Sequence, residues 1–239
     1  MDEQQPAAVD AAVLDGQQDH WTRTFDRHPG MFGSDASEPA RAALEQFRRE
    51  GFRDLLELGA GQGRDTLSFA AQGLEVTALD YAANALGEIT AEAEAAGLAG
   101  LVRPVRGDVR QPLPFADASF DAAYAHMLFC MALTTPELER LAGEVLRVLR
   151  PGGLAVYTVR TKEDPHFGAG VDRGDDMFEM GGFIVHFFDR ALVERLAGGF
   201  ELLEVAEFEE AALPRRLYRV TMRKPSEGAP AGTAKGARE

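Results

Sequence analysis

The sequence predicts an α/β fold in which a doubly wound parallel sheet carries helices on both of its faces. Apolar runs of strand length alternate with helical segments, a glycine-rich turn follows the first strand directly, and the last two strands are joined by a short connection. Parallel neighbours need a crossover connection of about a dozen residues or more. The short connection therefore predicts that the last two strands form an antiparallel pair.

The expected elements run in regular alternation along one domain. Ser37 is expected to cap the first helix, with Pro39 in its first turn and Gly51 just past its end. The expected helices cover residues 40–50, 65–72, 83–96, 136–150 and 190–197. The expected strands cover residues 54–58, 75–79, 102–106, 120–125, 154–160, 200–208 and 216–223. We expect this domain to occupy residues 18–224, with disordered tails at 1–17 and 225–239.

Composition and charge exclude several classes of function. The 239 residues include 25 basic and 39 acidic side chains, and the formal net charge of −14 repels phosphate backbones, so no nucleic-acid partner is expected. No apolar run approaches the roughly 20 residues that span a bilayer, and no leader peptide is recognised, so we expect a cytoplasmic protein without a membrane partner. The single cysteine, Cys130, excludes an internal disulfide and is expected to be buried rather than reactive.

A glycine-rich turn follows the first strand, in the segment that runs from Glu57 through Gly59 and Gly61 to Gly63. Glycines at every second position let the backbone turn tightly and approach a ligand, while the next helix presents free N–H groups. A dinucleotide fingerprint needs a glycine where this sequence has Arg64, so a nicotinamide dinucleotide is disfavoured. Taken alone, the turn also fits a plain strand-to-helix connection.

Two further acids close the next strands of the predicted sheet. Asp80 ends the second strand and Asp108 follows the third. Because the carboxyl ends of neighbouring parallel strands line one crevice, these acids should converge there with the glycine turn. A carboxylate after the second strand can accept both hydroxyls of a ribose, and one after the third can accept the exocyclic amine of an adenine. Each acid alone also fits a solvated loop or a helix cap, but their common register favours a ligand site.

These motifs resemble the class I S-adenosylmethionine-dependent methyltransferase family. The similarity runs from about residue 20 to residue 224 and includes residues 57–63, Asp80, residues 107–108 and residues 149–153. It implies a Rossmann-like seven-stranded sheet of order 3-2-1-4-5-7-6 with strand 7 antiparallel, S-adenosylmethionine as cofactor, and a small-molecule methyl acceptor. Residues 20–21, 30–33 and 61–65 are similar to the tellurite-resistance and thiopurine methyltransferase group within that family.

The resemblance also implies individual roles at the cofactor site. Gly59 and Gly61 would pass the methionine portion, Asp80 would hold the ribose, and Asp108 with Val109 would hold the adenine. Tyr81 would pack beside the adenosine, and Trp21 would contact the cofactor or serve only as core. The expected cofactor-binding set is Trp21, Glu57, Gly59, Gly61, Asp80, Tyr81, Asp108 and Val109.

Candidates for the chemistry of transfer lie after the fourth and fifth strands. Methyl transfer is an in-line displacement in which most of the catalysis can come from positioning, and a general base is needed only if the acceptor must lose a proton. His126 follows the fourth strand and could face the acceptor, or be a packed structural histidine. His186 and Asp164 are further catalytic candidates.

The segment 161–188 combines glycines with polar and aromatic residues and is predicted to be a mobile lid over the substrate. The alternative is a surface insertion with solvated charges. No metal is expected, because its histidines lack the short spacing of a metal site.

Two other functions remain open at this point. A regulatory module that binds S-adenosylmethionine without catalysis would show binding and no turnover. A nucleotide-linked oxidoreductase is disfavoured by Arg64 at the third glycine position. Oxygen, nitrogen, sulfur and chalcogen acceptors are all compatible with the predicted fold.

Overall fold

The computed structural model describes residues 9–210 and 214–226. Its helices are α1 (Ala11–Arg27), α2 (Glu38–Glu50), α3 (Arg64–Ala71), α4 (Ala83–Ala95), α5 (Thr135–Val148) and α6 (Arg190–Leu196). Its strands are β1 (Asp54–Leu58), β2 (Glu75–Asp80), β3 (Val102–Arg106), β4 (Phe120–His126), β5 (Leu149–Arg160), β6 (Val171–Gly174), β7 (Met177–Met180), β8 (Phe183–His186), β9 (Glu201–Glu210) and β10 (Arg215–Arg223).

The central sheet has seven strands in the order β3-β2-β1-β4-β5-β10-β9. Strand β10 runs antiparallel to both of its neighbours, and the pairs among β1 to β5 are parallel. The predicted strand order is confirmed, because β9 and β10 are the sixth and seventh strands of the prediction. Three short strands of a separate sheet, β6 to β8, precede them in the chain.

Alternating side chains of the sheet build a hydrophobic core on each face. Leu56 of β1 packs in one core with Leu138 of α5, while Leu55 packs in the other with Phe47 of α2 and Phe69 of α3. Successive residues of a strand point to opposite faces, so both faces of β1 are apolar. This is the pattern of a parallel sheet buried on both sides, and it leaves the carboxyl edge of the strands free to form a site.

Each predicted helix and strand is found close to its expected bounds, with one larger difference at β5. This strand begins at Leu149, where Leu149 pairs with Phe120, and an irregularity precedes the regular pairing of Leu154 with Ala122. A Cβ atom on Gly153 would lie 2.6 Å from the carbonyl oxygen of Asp121, so only glycine fits this close approach of two strands.

The N-terminal stretch differs from its prediction. Helix α1 begins at Ala11, and the Asp10 side chain accepts a hydrogen bond from the Ala12 N–H at 3.0 Å. Leu14 is buried in a small apolar cluster with Met177 and Ile184. The predicted disordered tail at 1–17 is therefore wrong for residues 11–17, while residues 1–8 lie outside the described residues. Of the predicted tail at 225–239, only residues 225–226 are described, and they lie outside helices and strands.

The segment predicted as a lid, 161–188, contains an ordered three-stranded antiparallel sheet of β6, β7 and β8. Helix α1 lies against it through Gln17, whose side-chain amide donates to the Gly182 carbonyl at 2.9 Å and accepts from the Ile184 N–H at 3.2 Å. A helix and a small sheet from distant parts of the chain thus form one cover above the carboxyl edge.

Among the described residues, no helix combines the length and the apolar character that crossing a membrane requires.

A buried polar network joins the start of α2 to α3, next to the glycine turn. The Ser37 N–H and hydroxyl donate to the two Asp65 carboxylate oxygens, each at 2.7 Å, and the Ser37 oxygen accepts from the Ala40 N–H at 3.1 Å. The Tyr124 hydroxyl donates to Asp65 at 3.3 Å. Ser37 thus caps α2, as predicted, and also satisfies a buried carboxylate.

We expect Ser37→Ala to lower the free energy of unfolding by about 1–3 kcal/mol, because it removes a helix cap and one of the hydrogen bonds to the buried Asp65 carboxylate. Ser34→Ala, an exposed serine of the same segment, should change it by less than about 0.5 kcal/mol. Urea unfolding of both variants measures the difference. Equal stabilities would show that the Ser37 hydroxyl contributes nothing to the fold.

Candidate active site

A cavity of about 740 Å³ opens at the carboxyl edge of the parallel strands. This volume lies within the range of about 300–1,000 Å³ that is typical of small-molecule sites. The structure brings every residue of the predicted cofactor-binding set to its wall: Trp21, Glu57, Gly59, Gly61, Asp80, Tyr81, Asp108 and Val109. His126 lines the same cavity.

The glycine turn and Asp80 are joined directly. One Asp80 carboxylate oxygen accepts from the Gly61 N–H at 2.9 Å, and the other accepts from the Ala82 N–H at 2.9 Å. Gly61 has φ +53°, and at Gly63, with φ +85°, a Cβ atom would lie 2.5 Å from the Ile89 side chain. The turn therefore needs glycine both for its backbone conformation and for close packing on α4. Burial raises the pKa of Asp80 despite these hydrogen bonds.

The second acid, Asp108, is part of an ion-pair chain that reaches α1. Arg110 donates to Asp108 from Nη2 at 2.7 Å and from Nε at 3.1 Å, and its Nη1 donates to Asp15 at 2.5 Å. Burial tends to raise the pKa of Asp108, but the hydrogen bonds from Arg110 outweigh it and hold that pKa below its usual value. Asp108 is thus an ionised acceptor at the cavity wall, and Arg110 ties the covering helix to it.

Glu57 lies buried at the floor of the cavity and accepts a hydrogen bond from the Thr66 hydroxyl. Burial, together with the neighbouring negative charge of Asp65, raises the pKa of Glu57 to about 8. At neutral pH the Glu57 carboxyl is therefore mainly protonated. A neutral acid here can donate as well as accept a hydrogen bond.

His126 is held by Thr158 of the neighbouring strand. Its Nδ1 lies 2.8 Å from the Thr158 Oγ1, which also accepts from the Met127 N–H at 3.0 Å. Thr158 is fully buried, and among the described residues Nδ1 is the acceptor within reach of its hydroxyl proton. This network assigns the tautomer with a proton on Nε2. Burial lowers the pKa of His126, so the ring is neutral at physiological pH.

The structure places two of the predicted catalytic residues outside the cavity wall. His186 is 1% exposed, donates from Nδ1 to the Leu133 carbonyl at 2.7 Å, and has its pKa lowered by burial. Asp164 is 3% exposed and accepts from Arg160 and from the Arg216 N–H at 3.0 Å. Neither side chain lines the cavity. The structure therefore does not support their assignment as catalytic residues, which stays a prediction: the contacts of both hold neighbouring segments in place.

Two residues that line the cavity, Arg160 and His166, were not among the predicted site residues. Arg160 is the last residue of β5, so the rule that identified Asp80 at the end of β2 could also have identified Arg160. His166 gave no such signal, because its place depends on the fold of the segment 161–188.

Cys130 is fully buried and its pKa is raised to about 11 by burial, as the sequence predicted for an unreactive thiol. Within residues 9–210 and 214–226, no three potential metal ligands come together.

Comparison with known proteins adds to this geometry. Residues 55–153 match the family model of a methyltransferase domain. A 24-methylenesterol C-methyltransferase 2 from Oryza sativa subsp. japonica is 32% identical over 191 residues, which is 72% of this chain and 51% of that protein. A sterol methyltransferase-like 2 from Botryococcus braunii is 35% identical over 64% of this chain and 40% of its own length. The matches thus span about half or less of these relatives.

A solved structure shares the fold over nearly the whole chain. The 1,6-didemethyltoxoflavin-N1-methyltransferase of Burkholderia thailandensis, with 1,6-didemethyltoxoflavin and S-adenosylhomocysteine bound, has a TM-score of 0.72 at 20% identity and covers 95% of this chain and 98% of its own.

The match at residues 55–153 is thus to a methyltransferase domain, and the cofactor is S-adenosylmethionine. The narrower resemblance to the thiopurine and tellurite-resistance group is not confirmed by these relatives.

The residues present fit this cofactor. The turn at Gly59 and Gly61 presents backbone rather than side chains to the cavity, and the Asp80 carboxylate, with about four acceptor positions, retains capacity beyond the two N–H groups that it binds. Leu128 closes the space above Gly59, where a Cβ atom would lie 2.9 Å from its side chain. Any larger residue at Gly59 would collide with that wall.

We expect the free energy of unfolding of the protein to fall relative to that of Glu57→Gln as the pH rises from about 4.5 to about 8. In that window Glu57 loses its proton in the unfolded chain, at its ordinary pKa of 4.5, but keeps it in the fold, where its pKa is about 8. Above pH 8 the difference should level off. Denaturant unfolding across this range measures it, and parallel pH profiles for the two proteins would contradict a protonated Glu57.

Proposed function

We propose that this protein transfers the methyl group of S-adenosylmethionine to a small-molecule acceptor by in-line displacement. The observation that carries the proposal is the convergence of the glycine turn, the Asp80 and Asp108 acids and His126 on one cavity. The methyltransferase-domain match covers the glycine turn and all three of these side chains. The class of the acceptor, the subgroup and a cytoplasmic location stay predictions.

The cofactor would occupy the part of the cavity next to α1. Asp80 would accept the ribose hydroxyls, Asp108 with Val109 would hold the adenine, and Tyr81 would pack beside the adenosine. When bound, the cofactor supplies an electrophilic methyl carbon on a sulfonium. The cationic methionine portion would lie near Gly59 and Gly61, above the buried Glu57.

The acceptor would occupy the part of the cavity that extends past His126. Apolar side chains from the segment after β4 and from the small sheet line it: Leu128, Met131, Leu133, Met180, Phe183 and Val185. These walls suit an acceptor with a substantial apolar surface. The relatives named for methylation of sterols are consistent with this choice. The segment 161–188 would act as the cover that encloses the acceptor and keeps water out.

His126 would orient the acceptor rather than remove a proton from it. Its lone pair on Nδ1 is used by the Thr158 hydroxyl at 2.8 Å, and its Nε2 carries the proton in the assigned tautomer. A neutral donor at this place can fix the position of an acceptor atom, which is the main requirement of a displacement reaction. His186 and Asp164 would contribute only by supporting the wall of the cavity.

Asp80→Asn should weaken binding of S-adenosylhomocysteine at least tenfold, because the amide replaces a charged acceptor with a partly donating group. Asp117→Asn, an acid that pairs with Arg147 on the surface, should leave the affinity within about twofold. Isothermal titration calorimetry provides both values, with NAD as a ligand expected to bind far more weakly. Tight binding of NAD alone would overturn the choice of cofactor, and an unchanged affinity in folded Asp80→Asn would remove Asp80 from this role.

Incubation with S-adenosylmethionine that carries a labelled methyl group and a metabolite extract should transfer label to an organic product. His126→Gln should lower the turnover number at least tenfold and leave S-adenosylhomocysteine affinity within about twofold, since it changes only the acceptor side. Product radioactivity and calorimetry measure the two effects. Cofactor binding without label transfer to any acceptor would indicate the binding-only module instead.

A further inference from the structure

Arg160 presents an unused donor edge to the cavity. Its guanidinium is fixed by Asp164, with Nε to one carboxylate oxygen at 3.1 Å and Nη2 to the other at 2.5 Å, and Nη2 also lies 2.7 Å from the His166 Nδ1. Among the described residues, Nη1 has no hydrogen-bond partner. Arg160 is 5% exposed, and it lines the cavity. Asp164 thus holds this buried arginine from one side, through Nε and Nη2, and leaves Nη1 for a ligand in the cavity that Arg160 lines.

The charges around this edge cancel in pairs. Arg160 pairs with Asp164 at 2.5 Å, and Arg215 pairs with Glu210 at 3.2 Å. Arg64 pairs with Asp65 at 3.3 Å. These arginines, together with Glu210 and Asp65, line the cavity around His126. This end of the cavity therefore offers hydrogen-bond donors without an unpaired positive charge.

The pairing of these arginines with acids determines whether a carboxylate or an uncharged carbonyl oxygen fits this end of the cavity. A carboxylate would give up its water to enter a site where each arginine already has a counter-charge, and the desolvation of an ion without a partner is strongly unfavourable. An uncharged carbonyl oxygen has a much smaller desolvation cost and still gains a hydrogen bond to a charged donor. The site therefore favours a neutral oxygen acceptor over an anion.

His126 supplies a second donor at the same end. Its partner Thr158 and Arg160 are two residues apart on β5, so their side chains lie on the same face of the sheet, about 7 Å apart along the strand. His126 and Arg160 both line this cavity. Two donors on one face can share or bracket one oxygen function.

We propose that the acceptor is a mostly apolar molecule that carries an uncharged carbonyl oxygen, which the Nη1 group of Arg160 and the Nε2–H of His126 bind. The inference rests on the proposed function, because the cofactor must occupy the other part of the cavity. The apolar walls at Met131, Met180 and Phe183 hold the hydrocarbon portion. Asp164 is the residue that positions Arg160.

Binding of three matched probes to the full-length protein saturated with S-adenosylhomocysteine tests this proposal. The probes are 2-acetylnaphthalene, 2-ethylnaphthalene and 2-naphthoate, which present a ketone, a hydrocarbon and a carboxylate on one ring system. We expect the ketone to bind at least tenfold more tightly than each of the others. Ligand-observed NMR titration gives the dissociation constants and needs no variant that could fail to fold.

Variants then test whether the tighter binding of the ketone depends on Arg160. Arg160→Met should reduce the advantage of the ketone over the hydrocarbon to less than about threefold, whereas Arg195→Met, which removes a surface arginine paired with Glu139, should leave it unchanged. Because Arg160→Met strands the Asp164 charge, the double variant Arg160→Met with Asp164→Leu removes both charges and repeats the measurement if the single variant does not fold.

Three results would overturn the inference: equal binding of ketone and hydrocarbon, tightest binding of the carboxylate, or a ketone advantage that survives the loss of Arg160. Calorimetry of S-adenosylhomocysteine on the same samples separates the two proposals. If S-adenosylhomocysteine does not bind, the proposed function fails. If it binds and the ketone has no advantage, only the assignment of the acceptor group fails.

Discussion

The hydrogen bond from the Gly61 N–H to the Asp80 carboxylate, at 2.9 Å, is the interaction on which the site depends. It joins the turn after β1 to the end of β2, and the same carboxylate holds the Ala82 N–H at the start of α4. One side chain thus fixes both the turn after β1 and the connection from β2 to α4. This carboxylate is buried at the end of β2 and lines the cavity.

The acids buried near the cavity each need a hydrogen-bond donor or a proton, because an unpaired charge is costly in a buried place. The fold does not leave its buried acids alone: Asp65 is satisfied by Ser37, and Asp164 by Arg160. Within the part of the chain that the structure describes, no cationic side chain is bonded to Glu57, and the raised pKa keeps its carboxyl protonated at neutral pH. The consequence is a cavity with many polar groups and little unpaired charge. Such a site can distinguish ligands by hydrogen bonding rather than by their net charge.

The cover of the cavity comes from elements that are distant in the sequence. Helix α1 touches the small sheet through Gln17 and contacts the floor through the Asp15–Arg110–Asp108 chain. Trp21 packs against Phe183 of the small sheet, with ring centroids 4.8 Å apart. The cover therefore links the cofactor side of the cavity to its acceptor side, and a ligand on one side can affect contacts on the other.

The sequence was sufficient for the central sheet because its signals are local. Apolar runs, a glycine turn and acids at strand ends each lie within a few residues, and the crossover rules of parallel sheets place them at one edge. Helix α1 was missed because its stability comes from burying Leu14 against a sheet more than 150 residues away in the chain. Local composition, rich in alanine and polar residues, gave no sign of that partner.

The partners of the catalytic candidates also could not be predicted from the sequence. Asp164 and His186 were chosen for their chemistry, but whether such a side chain faces a ligand or a neighbour depends on contacts across the fold. Asp164 accepts from Arg160 and His186 donates to Leu133, and neither partner can be deduced from spacing. Arg160, which does line the cavity, lies at the end of a strand, where the rule for ligand edges applies directly.

A crystal structure of the protein with S-adenosylhomocysteine tests the cofactor site directly. We expect both ribose hydroxyls within hydrogen-bond distance of the Asp80 carboxylate, about 2.5–3.0 Å, and the adenine between Tyr81 and Val109. The Gly61 N–H should keep its bond to the same carboxylate. Ligand density elsewhere, or a bound adenosine with its ribose away from Asp80, would contradict the account.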